Sequence, residues 1–593
     1  MSATGYTVDL RDIRFVLFEQ LKVQDLEFEK FEDFDEEMYT SVLEEAERVA
    51  AEVCWPVNGP GDRQACRLDS EGNVTTPDGY PEAWKTLSEG GWIGYASPAE
   101  HGGIGLPDPV AMAVGEVFTG ACPAIGAYAG LSRGVANVLI HYGDEWMIEK
   151  CAEPLNSGVM GGTMCLTEAG AGSSVGDNRC KATPTDEDGV FLLEGEKIFI
   201  TGGDQDLTHQ IVHLVLARLP GAPEGTKGLS IFLVPKYDFD TGERNDAKVV
   251  GIEHKMGING SATSTLALGA NGPCKGYIIG RVGGGMRIMF HLMNEARIAV
   301  GIQGVSSAAA AYQNALHYAR ERIQGTNIKQ FGQPGAEQVT INKHPDVRRM
   351  LMDMRVRVEL LRSMCYTTAL RLCQAENAED QNALALVELM TPICKSYASD
   401  LGYQVTVDAM QVFGGYGYIQ EYPVEQHARD SKIASIYEGT NGIQAMDLLG
   451  RKMRAQKGMV FMKWLGEANK DIARAKGCDS TADLAVHVEK CVGQLGATAM
   501  HLSGLAMGGN LEGAMVQAMP FLNLFGAVVL GVHALEQAVV AQEAIDGGST
   551  DPFYQGKVLN ARYYVANHLP QAVALAKSIQ AGDDSCLDEV LFQ

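Results

Sequence analysis

Residues 298–323, IAVGIQGVSSAAAAYQNALHYARERI, place Ile298, Ile302, Val305, Ala309, Tyr312, Leu316, Ala319 and Ile323 at steps of four and three. That spacing returns each side chain to one face of an α-helix and predicts about seven turns with an unbroken apolar stripe. Similar patterns run from 345 to about 375 and over 383–411. Long helices with matching stripes bury them against one another, so the middle of the chain is expected to be a helical bundle.

Upstream of the bundle the pattern changes near Gly161. Residues 191–200, FLLEGEKIFI, read as a hairpin around Glu194-Gly195, and residues 211–219 and 229–234 are runs rich in Ile, Leu, Val and Phe, as in strands. No helical patterns alternate with these strands, which argues against a parallel α/β sheet. Further upstream the pattern is helical, with an acidic first turn at Asp35-Glu36-Glu37 and loops expected at Asn58-Gly59-Pro60-Gly61 and Gly102-Gly103-Ile104-Gly105. The expected organisation is a multidomain α+β chain: an N-terminal arm (1–34), a helical domain (35–160), a β domain (161–285), a helical bundle (286–455) and a further helical region (456–593) with breaks at Gly508-Gly509 and Gly547-Gly548. The last region carries no dense polar constellation and reads as structural or oligomerising.

The chain is too long for a single hydrophobic core, and its 593 residues suggest roughly three to five domains. Its 48 basic against 74 acidic side chains leave a net charge of −26, which opposes binding to nucleic acid or an anionic membrane. The 13 cysteines show no C-x-x-C pair and read as reduced thiols, without a disulfide framework or a metal site. The N-terminus lacks an apolar stretch behind a basic start, so a cytoplasmic location is expected. The most apolar stretch, 520–535, is shorter than a bilayer span and contains Asn523 and His533, so it is expected to be a buried helix.

Several segments carry chemistry. In ARDSKIASIYEGTN, residues 428–441, Glu438 lies between apolar neighbours and Gly439. Loss of hydration there raises a carboxylate's pKa toward that of a general base, and the bare backbone at Gly439 lets N–H groups point at a developing oxyanion. Met164 to Ser174 joins a strand-like run to a glycine-rich loop suited to an anion or a flat ring. Its Gly170-x-Gly172-x-x-x-Gly176 spacing misses the dinucleotide fingerprint by one residue. Phe199 and Thr201 end a strand, offering a flat aromatic and a hydroxyl at the sheet rim. Arg297 is expected to open the long helix and Arg322 to close it, and Gln411-Val412-Phe413-Gly414-Gly415-Tyr416-Gly417-Tyr418 sets bare backbone directly after a helical run.

Taken together, Leu166-Thr167-Glu168-x-Gly170-x-Gly172-Ser173, Gly195-Glu196-Lys197-x-x-Ile200-Thr201, Lys255-Met256-Gly257, Tyr318-Ala319-x-Glu321-Arg322, Gln411-x-Phe413-Gly414-Gly415-x-Gly417, Arg429-Asp430 and Tyr437-Glu438-Gly439-Thr440 resemble, in order and spacing, the acyl-CoA dehydrogenase family over about residues 40–455. The resemblance implies a helical domain, a β-barrel-like domain and a four-helix bundle, with FAD as cofactor. It implies that Met164, Leu166, Thr167, Gly172, Ser173, Phe199 and Thr201 contact the flavin ring, and Arg322 and Gln324 the pyrophosphate. Gln411, Gly414 and Gly415 would reach the FAD of a neighbouring subunit in a homodimer, and Thr440 and Asn441 would complete the flavin contacts. Ser173, Asn294 and Arg297 would hold the CoA moiety, with Tyr437 and Gly439 beside the acyl group. Glu438 would accept the α-proton while a hydride passes to flavin N5, and an electron-transferring flavoprotein would take the electrons.

The chain departs from the family pattern in three places. An extra segment follows Arg322 through Gly332, Asn294 stands where many members have Asp, and Gly442 where many have Gln. The N-terminal arm and C-terminal region are similar to a long bacterial subgroup. That similarity implies 3-(methylthio)propionyl-CoA as substrate and 3-(methylthio)acryloyl-CoA as product, in dimethylsulfoniopropionate demethylation. The alternatives are a medium- or long-chain fatty acyl-CoA dehydrogenase, an acyl-CoA oxidase, or a DNA-associated flavoprotein of the same family, the last opposed by the charge.

Overall fold

The computed structural model describes residues 4–593, with 290–293 described through their backbone alone. The chain folds as two units: residues 29–33 with 41–296, and residues 34–40 and 297–593 together with the described residues up to Phe28. Near the N-terminus, α1 (Leu10–Arg14) runs into a π-helical turn, Phe15–Gln20, that belongs to the second of these.

The first unit takes up α2 (Glu36–Val49) from Ser41 onward, and then α3 (Trp55–Gln64), which carries Asn58-Gly59-Pro60-Gly61 as helix rather than as the expected loop. Pro56 sits in the first turn, where its missing N–H is harmless. Gly61 serves packing instead of turning, since a Cβ there would lie 2.5 Å from the Tyr80 ring. A small ladder, β1 (Arg67–Leu68) with β2 (Val74–Thr75), precedes α4 (Tyr80–Glu89), α5 (Asp108–Ala121), α6 (Pro123–Tyr142) and α7 (Glu145–Asn156).

The strands are β3 (Met160–Cys165), β4 (Lys181–Pro184), β5 (Val190–Thr201), β6 (Gln210–Arg218), β7 (Leu229–Pro235), β8 (Ala247–Ile252), β9 (Thr263–Leu268) and β10 (Lys275–Ile278). Five of them close a ring in the order β10-β7-β6-β4-β5, the last pairing back to β10; β3 adds parallel to β6, and β9 and β8 extend from β5. On β6, Val212, Leu214 and Leu216 pack with Val135, Leu139 and Met147 of α6 and α7, whereas Val215 and Ala217 join the core with Phe191, Phe232 and Leu266. Both faces are covered, which is why β6 and β7 read as continuous apolar runs without alternation.

The hairpin expected around Glu194-Gly195 does not form. β5 is one strand of 12 residues, whose first part pairs with β4 and β10 and whose second part pairs with β9. Gly195, at φ +145°, lets the strand bend from one set of partners to the other, and a Cβ there would lie 2.4 Å from Cys180 Sγ.

The second unit takes up α8 (Gly285–Glu321) from Arg297 onward. The helix starts earlier than its stripe suggested, so Arg297 lies well inside it rather than at its start. Ile323 leaves the helix for β11 (Ile323–Thr326), which pairs with β12 (Gln338–Thr340). Next come α9 (Pro345–Asn377), α10 (Gln381–Phe413), α11 (Val424–Ser431) and α12 (Asn441–Gly450). Ala308, Ala311, Tyr312 and Ala315 of α8, Met354 and Val358 of α9, and Val405, Ala409 and Phe413 of α10 form the bundle core. Helices α8 and α10 meet backbone to backbone: a Cβ on Gly402 would lie 2.4 Å from the Gly304 carbonyl oxygen.

The C-terminal region adds α13 (Met459–Lys476), α14 (Ala482–Met507), α15 (Leu511–Val516), α16 (Ala518–Asp546), α17 (Pro552–Asn567) and α18 (Leu569–Ala581). The two glycine pairs end α14 and α16, where breaks were expected. Among the described residues, α16 is the one helix long and apolar enough to cross a membrane, and 78% of its most apolar window is buried inside the protein.

The N-terminal segment is built into this unit. Asp12, fully buried, accepts hydrogen bonds from Arg362 of α9 and Lys557 of α17. Lys557 also donates to Glu359 Oε2 at 2.7 Å, and Gln20 Nε2 donates to Ser363 Oγ and to Glu536 Oε2, each at 2.8 Å. Phe15 meets the ring of Phe553 edge-on at 5.4 Å.

Candidate active site

Glu438 sits in the turn between the 3-10 turn Lys432–Ser435 and α12. Its φ is +55°, in the left-handed region that a side chain makes unfavourable by roughly 1–3 kcal/mol, and Gly439 follows at φ +79°. The first turn of α12 imposes this conformation. Gln444 Nε2 donates to the carbonyl oxygens of Glu438 (3.2 Å) and Gly439 (3.3 Å), and Thr440 caps the helix by accepting from the Ile443 N–H at 3.2 Å. Burial raises the carboxyl pKa of Glu438 above the ordinary glutamate value, against the opposing pull of Lys395 and Arg297.

Lys395, fully buried on α10, donates from Nζ to Asn441 Oδ1 at 2.7 Å, and burial lowers its pKa to about 8. Asn441 in turn donates from Nδ2 to Ser399 Oγ (3.0 Å) and to the Ser396 carbonyl (3.2 Å). Its side-chain amide, expected at the flavin, is thus committed within the bundle. Arg297, expected at the CoA moiety, is buried and donates from Nη1 to Asp447 Oδ2 at 3.1 Å. Its Nε–H has no acceptor among the described residues. Tyr437 donates from its hydroxyl to Gln303 of α8. Lys395, Asp447, Gln303 and Gln444 went unnoticed in the sequence; a lone lysine within the apolar run Pro392-Ile393-Cys394-Lys395 was the available signal.

In the same unit, Arg322 stands one residue past the end of α8 and is exposed, with its guanidinium 5.5 Å from the Tyr416 ring centre. Tyr318 stacks on Phe413 at 4.1 Å, so the two motifs read separately along the chain meet through an aromatic cluster. The Gln324 carbonyl is bound by the His344 ring at 2.7 Å, and the Gln324 side chain is exposed, as is Gln411 at the end of α10. Gly414, at φ +61°, and Gly415 both have open space where a Cβ would stand.

In the β-containing unit, the glycine-rich loop is pinned from behind. Glu168 accepts from the backbone N–H groups of Arg179 (2.7 Å) and Cys180 (2.9 Å) and from Lys197 Nζ (2.8 Å). Although burial alone would raise it, these donors hold the Glu168 carboxyl below the ordinary value. Lys197 is fully buried and also donates to Asn178 and to the Leu166 carbonyl. The Thr167 carbonyl accepts from the Ile198 N–H at 2.9 Å, tying the loop to β5.

Phe199 lies at a register shift of the β5–β9 ladder with φ +58° and is 60% exposed. Such a bulge re-aims a side chain out of the sheet. Met164, Leu166 and Thr167 are half-buried, Gly172 and Ser173 are exposed, and a Cβ on Gly170 or Gly172 would meet nothing within 4 Å. Thr201 pairs with Thr263 across the ladder, and Asn294 is half-buried on α8. An exposed aromatic beside open, pinned backbone fits a flat cofactor ring. Replacing the pinning cation, Lys197→Met, removes its three hydrogen bonds, to Glu168, Asn178 and the Leu166 carbonyl, and is expected to weaken flavin retention about tenfold or more. The measurement is flavin fluorescence released on dilution; unchanged retention would show that the loop holds without Lys197.

Family models match the chain along most of its length: acyl-CoA dehydrogenase N-terminal domain over 36–159, middle domain over 163–270, C-terminal domain over 283–453, and an acetyl-CoA dehydrogenase C-terminal-like domain over 464–589. The chain belongs to the acyl-CoA dehydrogenase family, which makes it an FAD-dependent oxidoreductase acting on acyl-CoA thioesters. It is 35% identical to the broad-specificity linear acyl-CoA dehydrogenase FadE5 of Mycobacterium tuberculosis, covering 99% of this chain and 100% of that one. It is also 35% identical to the 3-methylmercaptopropionyl-CoA dehydrogenase of Ruegeria pomeroyi, covering 98% and 99%. The solved structure of a Bacillus anthracis acyl-CoA dehydrogenase complexed with FAD shares the fold, with a TM-score of 0.74 and 24% identity over 94% of this chain and 91% of that one.

Proposed function

We propose that Glu438 is the base that removes the α-proton of the acyl-CoA, and that the substrate is 3-(methylthio)propionyl-CoA, converted to 3-(methylthio)acryloyl-CoA. The observation that carries the role of Glu438 is a carboxylate on a strained turn, clamped by Gln444 and with its pKa raised by burial. A base so tuned holds its proton more firmly once it has taken it. FAD, when bound, supplies the two-electron acceptor that the oxidation requires. Phe199, Thr201 and the 164–173 loop would hold its ring, Arg322 and Gln324 its pyrophosphate, and Ser173 and Asn294 the CoA. Thr440 keeps the Glu438 turn in register by capping α12.

An identity of 35% over nearly the full length of the Ruegeria pomeroyi enzyme supports the methylthio substrate. Equal identity to a broad-specificity linear enzyme supports a second reading, a fatty acyl-CoA dehydrogenase. Anaerobic bleaching of the flavin by butyryl-, octanoyl- and 3-(methylthio)propionyl-CoA separates them. The methylthio compound is expected to react fastest by about tenfold or more, the order of discrimination that an apolar pocket supplies. Equal rates would overturn the substrate assignment.

The same proposal includes an electron-transferring flavoprotein as acceptor, a cytoplasmic setting and a homodimer. Open backbone at Gly414 and Gly415, with Tyr418 83% exposed beside them, supports a neighbouring subunit there. A monomer with bound FAD, measured by mass in solution, would contradict the dimer. Rapid peroxide formation without an added acceptor would make the enzyme an oxidase.

A further inference from the structure

We propose that Lys395 is a positioning residue for the base: it anchors Asn441, and with it the turn carrying Glu438, while its ammonium supports the ionised carboxylate. The inference rests on the reading of Glu438 as base.

Three observations carry it. Lys395 is fully buried in the middle of α10, where an ammonium is retained only with strong partners. Its 2.7 Å hydrogen bond goes to Asn441 Oδ1, three residues past Glu438 and at the very start of α12. The Asn441 amide then ties back to α10 through Ser396 and Ser399. The first turn of α12 holds the Glu438 backbone in its left-handed conformation, so a fixed Asn441 fixes the base. Two close-packed helices bring the cations in, since α8 supplies Arg297 and α10 supplies Lys395.

The charges around this group are few. Glu438 faces Lys395 from α10 and Arg297 from α8. Lys395 faces Asp400 of its own helix, Glu438 and Arg297. Asp400 faces Lys432, from the turn preceding Glu438, as well as Lys395 and Asn441. Arg297 is drawn toward α12 by Asp447, whose carboxylate is shared with Arg451. The hydrogen bond of Lys395 therefore goes to a neutral amide, with Asp400 the opposing charge of its own helix, whereas Arg297 bonds directly to the Asp447 carboxylate.

The test is the pH profile of kcat/KM in the FAD-bound enzyme. Removing a cation near Glu438 favours its protonated form, so Lys395→Met is expected to move the acid limb up by about one pH unit. Lys395→Gln keeps a donor for Asn441 and moves the limb in the same direction with a smaller loss of kcat; it carries the test where Lys395→Met does not accumulate. Asp447→Asn releases the charge of Arg297 toward Glu438 and is expected to move the limb down. A purely structural role would lower kcat in all three without opposite displacements of the limb. An unmoved limb, or displacement in one direction for all three, overturns the inference. Full activity in Glu438→Gln would instead overturn the assignment of the base itself.

Discussion

Glu438→Gln is expected to lower turnover with acyl-CoA by about 10²- to 10⁴-fold while FAD remains bound, because the amide keeps the shape of the side chain but cannot accept the α-proton. Addition of substrate would then no longer bleach the flavin; wild-type bleaching in this variant would remove Glu438 from the role. The wild-type pH profile follows from the same burial. Only the ionised carboxylate acts as base, so kcat/KM falls as pH drops through the pKa of Glu438, which burial sets above that of an ordinary glutamate. Stability runs the other way. A carboxyl whose folded pKa is raised opposes folding once it ionises, so the amide variant is expected to melt at the same temperature as wild type or higher. Lost activity without lost stability separates a functional carboxylate from a structural one.

Asp12→Ala is expected to destabilise the unit containing the bundle by about 3–5 kcal/mol, because it leaves two buried cations, Arg362 and Lys557, short of their shared carboxylate. The Asp12 pKa is depressed: burial alone would raise it, but Lys557 and Arg362 more than offset that. Its contribution is therefore fully present above the ordinary aspartate pKa and is lost as pH falls through the lower, folded value. Denaturant unfolding at neutral pH measures the loss. A midpoint within error of wild type would show that the cluster relaxes around the gap. The double variant Asp12→Leu, Lys557→Met is expected to lose less than the sum of the two single variants, since much of each penalty is a charge left without its partner. The cluster joins α1, α9 and α17, so the N-terminal segment and the C-terminal region are stabilised together.

Periodicity and residue chemistry alone determined a good deal of this protein. Helical spacing marked α8, α9 and α10, the glycine pairs marked the ends of α14 and α16, and the order of seven short motifs pointed to the family and to Glu438. Each helix stripe, glycine pair and motif is a local property, written within a few residues of itself, because a helix repeats every 3.6 residues and the turn carrying Glu438 is contiguous.

Tertiary structure decided the rest. Gly61 and Gly195 look like turn residues in isolation, but one admits the Tyr80 ring against a helix and the other bends a strand past Cys180. Lys395 looks like an ordinary helix residue and Arg297 like a residue for the CoA moiety, yet close packing of α8 on α10 turns both into the electrostatic setting of Glu438. Asp12 and Lys557 are 545 residues apart and meet in the core of one unit. A buried charge is stable only where its partner is, and that place is set by packing between elements remote in the chain. Sequence spacing carries no record of it.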